Sequence, residues 1–111
     1  MPRKLPLDLE CLYRSGVVRI GGLNLLQILQ EKGPLRFSEM YENTYRTPAT
    51  LAHRLREAEQ YGLVKKNVTA EVGKETKIYY EITEYGKEVK HLIVNLVNTI
   101  QEARKLIQLE M

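Results

Sequence analysis

The 111-residue sequence holds one cysteine, one aspartate, one phenylalanine, two serines, two histidines and no tryptophan. A lone Cys11 excludes an intramolecular disulfide framework and any multi-cysteine zinc site, and it suits a reducing compartment. With only Asp8, Ser15, Ser38, His53 and His91, a nucleophile, a base and an orienting acid have few ways to meet, and one imidazole at a time gives a metal little to bind. Neither G-x-x-x-x-G-K nor G-x-G-x-x-G occurs, and Gly21-Gly22 is an isolated pair between helical segments. The thirteen glutamates stand singly among lysines and arginines, the pattern of solvated faces. This inventory reads as a binding module, not an enzyme, with no cofactor and no metal. No apolar stretch approaches the roughly 20 residues that a bilayer span needs, since 92–97 is short and includes Asn95, so no membrane partner is expected. The start Met-Pro-Arg-Lys-Leu-Pro runs into Asp8 and Glu10 instead of an apolar segment, which argues against a signal peptide. The expected location is the cytoplasm, on the nucleoid, and the Asn67-Val68-Thr69 sequon is then coincidental.

What is present is the balance of a folded protein, 43% apolar and 28% charged residues, in a length that suits one domain. Positions 8–15 read as a short helix with Leu9, Leu12 and Tyr13 on one side and Gly16 ending it. A second helix is expected over 21–32, with Leu23, Leu26, Ile28 and Leu29 as its apolar positions and Gly33-Pro34 stopping it. An extended link at 36–37 and a serine N-cap at Ser38 should open a brief helix over 39–44. Thr47-Pro48 is the sharpest local signal: an N-cap hydroxyl followed by proline at the first helical position, where the missing N–H costs nothing. The helix it starts, 48–61, buries Leu51, Leu55 and Ala58 and ends at Gly62. Its opposite side carries Ala49, Thr50, His53 and Glu57, flanked by Arg54 and Arg56.

Two β-branched and aromatic runs, 63–71 and 76–83, are separated by Val72-Gly73-Lys74-Glu75 and read as a hairpin. Thr83 then caps a last helix with an apolar stripe at Val89, Ile93, Leu96, Ile100, Ala103 and Ile107, with Gly86 unusually placed in its first turn. A short helix, a tight turn, an amphipathic helix and a hairpin in that order make a winged helix-turn-helix, mainly α with a two-stranded wing and a long C-terminal helix. The exposed face of 48–61 is then the one offered to a major groove.

The detailed residues bring a family into view. Gly33-Pro34-Leu35-Arg36-Phe37-Ser38-Glu39-Met40, the whole of 47–64 and Tyr80-Glu81-Ile82-Thr83-Glu84-Tyr85-Gly86-Lys87 resemble the HxlR-type regulators of the winged-helix superfamily that includes MarR-like repressors. The resemblance spans roughly 11–96 and extends to the spacing of Cys11 from Gly21-Gly22. The chain departs from the family in having Leu23-Asn24, with no basic residue and tryptophan, after the glycines, and no proline in the wing. The resemblance implies a homodimeric, DNA-binding transcriptional regulator whose first and last helices form the dimer interface. It also implies that Cys11 matches a position used by some members as a redox or electrophile sensor. Read from the residues, Cys11 in a leucine-rich helix is a small buried hydrophobe, with Arg14 one turn away able to lower its pKa.

Two further arguments bear on partners. A last helix over 84–110 would be about 40 Å long at 1.5 Å per residue, against a radius of gyration of about 13 Å for a compact chain of this length, so its far end must overhang and a second copy should cover it. The expected organisation is one domain over 1–111, with a winged-helix core in 17–83 and dimerisation helices in 1–16 and 84–111. With the first and last helices pairing as the resemblance implies, Leu9, Leu12, Ile93, Leu96, Ile100, Ala103 and Ile107 are the expected dimer interface. Two-fold pairing sets the recognition helices about 34 Å apart and predicts a palindromic site in double-stranded DNA. Net charge is only +3, but 43–56 holds three arginines and no acid, and the hairpin adds Lys65, Lys66, Lys74 and Lys77. Thr47, Ala49, Thr50, His53 and Arg54 are the candidate base or phosphate contacts, while Arg36, Ser38 and Arg46 position the backbone. Lys74 and Lys77 are placed either to reach phosphate or minor groove, or simply to keep a charged turn soluble. Two other readings share the fold: a protein-interaction module, suggested by the weak net charge, and a non-specific chromatin-type DNA-binding protein.

Overall fold

The computed structural model describes residues 9–44 and 47–110, so Asp8 and Arg46 lie outside the described residues. Five helices and one hairpin follow in the expected order: α1 (Glu10–Arg14), α2 (Gly22–Lys32), α3 (Phe37–Thr44), α4 (Pro48–Gln60), β1 (Val64–Thr69), β2 (Lys77–Ile82) and α5 (Glu84–Glu110). The fold is a winged helix-turn-helix with a long C-terminal helix.

Local chemistry accounts for most boundaries. Gly33, at φ +80°, ends α2 in a conformation that a side chain would strain, and Pro34 follows it. The Thr47 hydroxyl accepts from the Thr50 N–H at 3.1 Å, which secures the start of α4. Gly62, at φ +75°, turns the chain into β1. Thr83 accepts from the Gly86 N–H at 3.0 Å and donates to the Gly62 carbonyl at 2.6 Å, so one hydroxyl caps α5 and fastens it to the end of α4. The start of α3 differs from expectation. Ser38 is its second residue and not its N-cap; the Arg36 N–H instead donates to the Glu39 carboxylate at 2.7 Å, the returning half of a capping box, and the helix opens earlier at Phe37.

The core joins Val17, Leu25, Leu26, Ile28, Leu29, Leu35, Met40, Leu51, Leu55, Ala58, Leu63 and Val64, with Leu12, Leu23, Phe37, Tyr41, Tyr80, Ile82, Val89 and Ile93 packed against it. Leu25, absent from the apolar positions read for α2, is wholly buried, whereas Leu23 is only half-buried. The hairpin is antiparallel, with Val64 opposite Ile82, Lys66 opposite Tyr80 and Val68 opposite Ile78. Because side chains alternate between sheet faces, these pairs share one face. Val64 is buried there, while Val68 and Ile78 run on past the core and stay exposed. Leu35 pairs with Tyr80 through two backbone hydrogen bonds of 2.8 and 3.0 Å, tying the turn after α2 to the base of the wing.

Gly86 is explained by close approach. A Cβ there would lie 2.2 Å from the Leu63 carbonyl oxygen and 2.7 Å from Ile82 Cγ1, so only glycine lets α5 start against the end of β2. From there α5 leaves the body of the molecule. Val89 and Ile93 pack on the chain's own core, but Leu92, Leu96, Val97, Ile100, Leu106, Ile107 and Leu109 are exposed. The apolar stripe therefore divides, and Ile93, read as part of a dimer interface, serves the core of its own chain, as does Leu12 on α1. The radius of gyration, 17.3 Å, exceeds the value of about 13 Å for a compact chain of this length, as the overhang requires.

Candidate nucleic-acid interface

The outward side of α4 is built by helical spacing. Ala49, His53, Arg56 and Gln60 are all exposed and recur at i, i+4, i+7 and i+11, a continuous stripe opposite Leu51, Leu55 and Ala58. Thr47 lies exposed at the N-terminal end of this stripe. Its hydroxyl also donates to the Thr50 hydroxyl at 2.9 Å, so Thr50 is half-buried and partly committed to the cap.

Arg54 does not stand on this side. It is 9% exposed, its Nε donates to the Ile20 carbonyl at 3.1 Å, and its guanidinium pairs with Glu57. Arg19, from the turn before α2, binds the other Glu57 oxygen at 2.5 Å. The reading of Arg54 as a base contact and of Glu57 as part of an open face is thereby corrected: a charged side chain enters this environment because a carboxylate and a backbone carbonyl meet it there. Arg56, two residues on, takes the outward position.

Four other basic groups come from the wing, Lys65, Lys66, Lys74 and Lys77. Lys66 lies 5.9 Å from the Tyr80 ring centroid and, with Arg56 and Glu59, lines a cleft between α4 and β1 floored by Phe37, Ala52, Leu55 and Tyr80. Sequence reasoning counted Lys66 only as hairpin charge and Arg56 only as a flank; their pairing across a cleft depends on how the hairpin folds back over α4. Arg36 and Ser38 meet Thr76 and Ile78 of the wing in a second cleft, beside Phe37. Lys74 and Lys77 stay on the hairpin itself, both exposed, with Lys74 3.1 Å from Glu71 across the turn. At the wing base, Glu81 accepts from the Asn67 amide at 2.8 Å and meets Lys65 at 3.2 Å. The Asn67 hydrogen bond, then that of Lys65, holds the Glu81 carboxyl below the usual carboxylate range.

Cys11 is exposed on α1, contrary to its reading as a buried hydrophobe, because this one-turn helix turns only Leu12 toward the core. Arg14 is paired with Glu10 at 2.9 Å. Among the described residues, no cluster of histidine, cysteine and carboxylate side chains is arranged to hold a metal ion, and no helix is long and apolar enough to cross a membrane.

Comparison with known proteins agrees with this fold. The model of the HxlR-like helix-turn-helix family matches residues 20–107. The reduced form of the transcriptional regulator YodB from B. subtilis is 27% identical, with 86% of this chain and 90% of that chain covered and a TM-score of 0.66. The diamide-treated form of YodB is 26% identical over 90% of this chain and 96% of that chain, with a TM-score of 0.72. A transcriptional regulator homologue from Pyrococcus horikoshii OT3, at 20% identity, shares the fold with a TM-score of 0.71 over 85% of this chain and 92% of that chain. No curated protein sequence matches significantly.

Proposed function

The chain belongs to the HxlR-like helix-turn-helix family, and from that membership we propose a homodimeric transcriptional regulator that recognises a palindromic DNA site and acts by occupying a promoter. The observation that carries the reading is the outward stripe of α4, which is exposed along its length and includes one cationic group, Arg56, that shares a cleft with a second, Lys66. In this reading α4 enters the major groove. Thr47, Ala49, Thr50 and His53 face base edges and the nearer backbone, and Arg56 with Lys66 holds phosphate at the mouth of the cleft. Arg36, Ser38 and Arg46 position the backbone, while Lys74 and Lys77 extend the contact along the wing.

The second copy is supported by α5. Its exposed Leu96, Ile100 and Ile107, together with Leu9 of α1, leave apolar surface in water that a two-fold partner would cover, recovering about 1.5–3 kcal/mol for each large side chain fully buried. We also propose that Cys11 modulates binding, because it is exposed on α1 and open to oxidants. Hydrogen peroxide, which takes an exposed thiol to a sulfenic acid and is itself reduced to water, should then change the DNA affinity of the native protein and leave a Cys11→Ser variant unaffected.

Selection of duplexes from a random pool tests the main reading. An enriched palindrome with half-sites one helical turn apart supports it. Tight binding without a consensus would favour chromatin-type binding, and no retention of DNA would favour a protein-interaction module.

A further inference from the structure

Three charges outside the DNA face form one connected group, and two of them, Arg54 and Glu57, are largely withdrawn from solvent. Glu57 of α4 is gripped by two guanidiniums: Arg54 from its own helix and Arg19 from the turn between α1 and α2. Their side chains are 33% (Arg19), 10% (Arg54) and 17% (Glu57) exposed, so solvent screens the interaction only in part. The group reaches further at both ends. Arg54 Nε holds the Ile20 carbonyl, and the Arg19 guanidinium lies over the Tyr13 ring of α1, 4.7 Å from its centroid. Gly16 makes room for it: a Cβ at that position would come 2.6 Å from Glu57 Oε1, and the residue sits at φ +83°. The chain from Tyr13 to Ile20 is therefore shaped around one carboxylate of the recognition helix.

Apolar packing alone would hold α4 less definitely. Leu51, Leu55 and Ala58 fix its distance from the core, but a smooth apolar seam tolerates small rotations and slides. Hydrogen-bonded ion pairs are directional, and a carboxylate held from both sides permits little of either motion. A rotation of one residue's angular step, about 100°, would remove the stripe Ala49, His53 and Arg56 from any groove, and far smaller ones would misalign hydrogen bonds to bases. We propose that Arg19 and Glu57 are positioning residues for DNA recognition: the Tyr13–Arg19–Glu57–Arg54 relay sets the pose of α4 against α1, and base discrimination depends on it although none of the four touches DNA.

This rests on the DNA-recognition reading above, and the test separates the two. The full chain, Arg19→Met, Glu57→Gln and the double variant are titrated with the selected duplex and with a scrambled duplex over a range of salt, and their thermal unfolding is recorded. The relay predicts that each single variant weakens the selected duplex about tenfold, keeps the scrambled duplex within about twofold, and leaves the slope of log K against log salt unchanged. The double variant should be no weaker than the worse single one, since both break the same link.

A slope that falls by about 0.9 in Arg19→Met, with equal losses on both duplexes, would make Arg19 a phosphate contact and overturn the relay. Losses that vanish when the assay is cooled well below each variant's unfolding transition would reduce it to fold stability and overturn it equally. Discrimination unchanged in all variants refutes the relay alone. A native chain that binds both duplexes alike refutes the DNA-recognition reading and the relay with it.

Discussion

If α5 pairs with a second copy as proposed, replacing Ile100 and Ile107 with alanine should dissociate that dimer without unfolding the chain. The two residues are 59% and 61% exposed in the single chain and lie seven apart on α5, on one side of the helix. Fully burying an isoleucine is worth about 1.5–3 kcal/mol, so covering the exposed three-fifths of each is worth about 1–2 kcal/mol, most of which alanine forfeits. At about 1 kcal/mol for each truncation, two positions in each of two copies lose about 4 kcal/mol, or roughly a thousandfold in Kd at 1.4 kcal/mol per decade. Alanine has the higher helix propensity, so α5 itself is not weakened. Sedimentation equilibrium reads the result directly: the native chain should be dimeric at micromolar concentration and the variant monomeric, with unchanged far-UV circular dichroism. A native chain that sediments as a monomer, or a variant with the native Kd, would refute the assignment of this stripe to a second copy.

The other predictions concern the body of the molecule. Arg54→Ala should lower the unfolding free energy by about 2–3 kcal/mol, because Glu57 keeps only Arg19 and the Ile20 carbonyl loses its charged donor; urea denaturation measures this. His53→Ala and Arg56→Ala, both on the open stripe, should change stability by no more than about 0.5 kcal/mol in the same assay while weakening DNA binding in a gel-shift titration. Gly86→Ala should destabilise by about 1–3 kcal/mol despite alanine's better helix propensity, since its Cβ would meet the Leu63 carbonyl, and thermal melts will show the sign. For Glu81, whose carboxyl titrates lower in the folded than in the unfolded chain, the contribution to stability is present at neutral pH and is lost as pH falls through the depressed value; an Asn67→Ala substitution should move its carbon-13 NMR titration upward.

The legibility of the sequence varied with the physics of each segment. Boundaries set by neighbours in the chain were readable: Thr47-Pro48, Gly33-Pro34 and Thr83 act within one helical turn, and α4, the end of α2 and the start of α5 stand where those residues put them. The start of α3 was misread because Ser38 competes with Glu39, which reaches back to the Arg36 N–H, and both patterns place an acceptor in the first turn. Arg54 is the instructive error. It follows Leu51 by three residues, about 60° around the helix from that buried side chain, whereas Arg56 is about 140° away, so the angles alone favoured Arg56 as the outward arginine. That Arg54 finds Ile20 and Glu57, and that Glu57 finds Arg19, depends on two segments 34 to 38 residues apart in the chain, which periodicity does not register. Gly86 likewise looked like a weakness in a helix until the approach of Leu63 gave it a reason. The exposure of Cys11 follows from the brevity of α1, which has one turn and little face to bury.

In the proposed complex the outward stripe of α4 lies in a DNA groove, and affinity cleavage from that stripe measures this. A DNA-cleaving iron chelate attached through His53→Cys, in a Cys11→Ser background, should cut the selected duplex in two clusters about 10 base pairs apart, related by the two-fold axis of the site. Uniform cutting along the duplex, or none under conditions where the protein is bound, would contradict it.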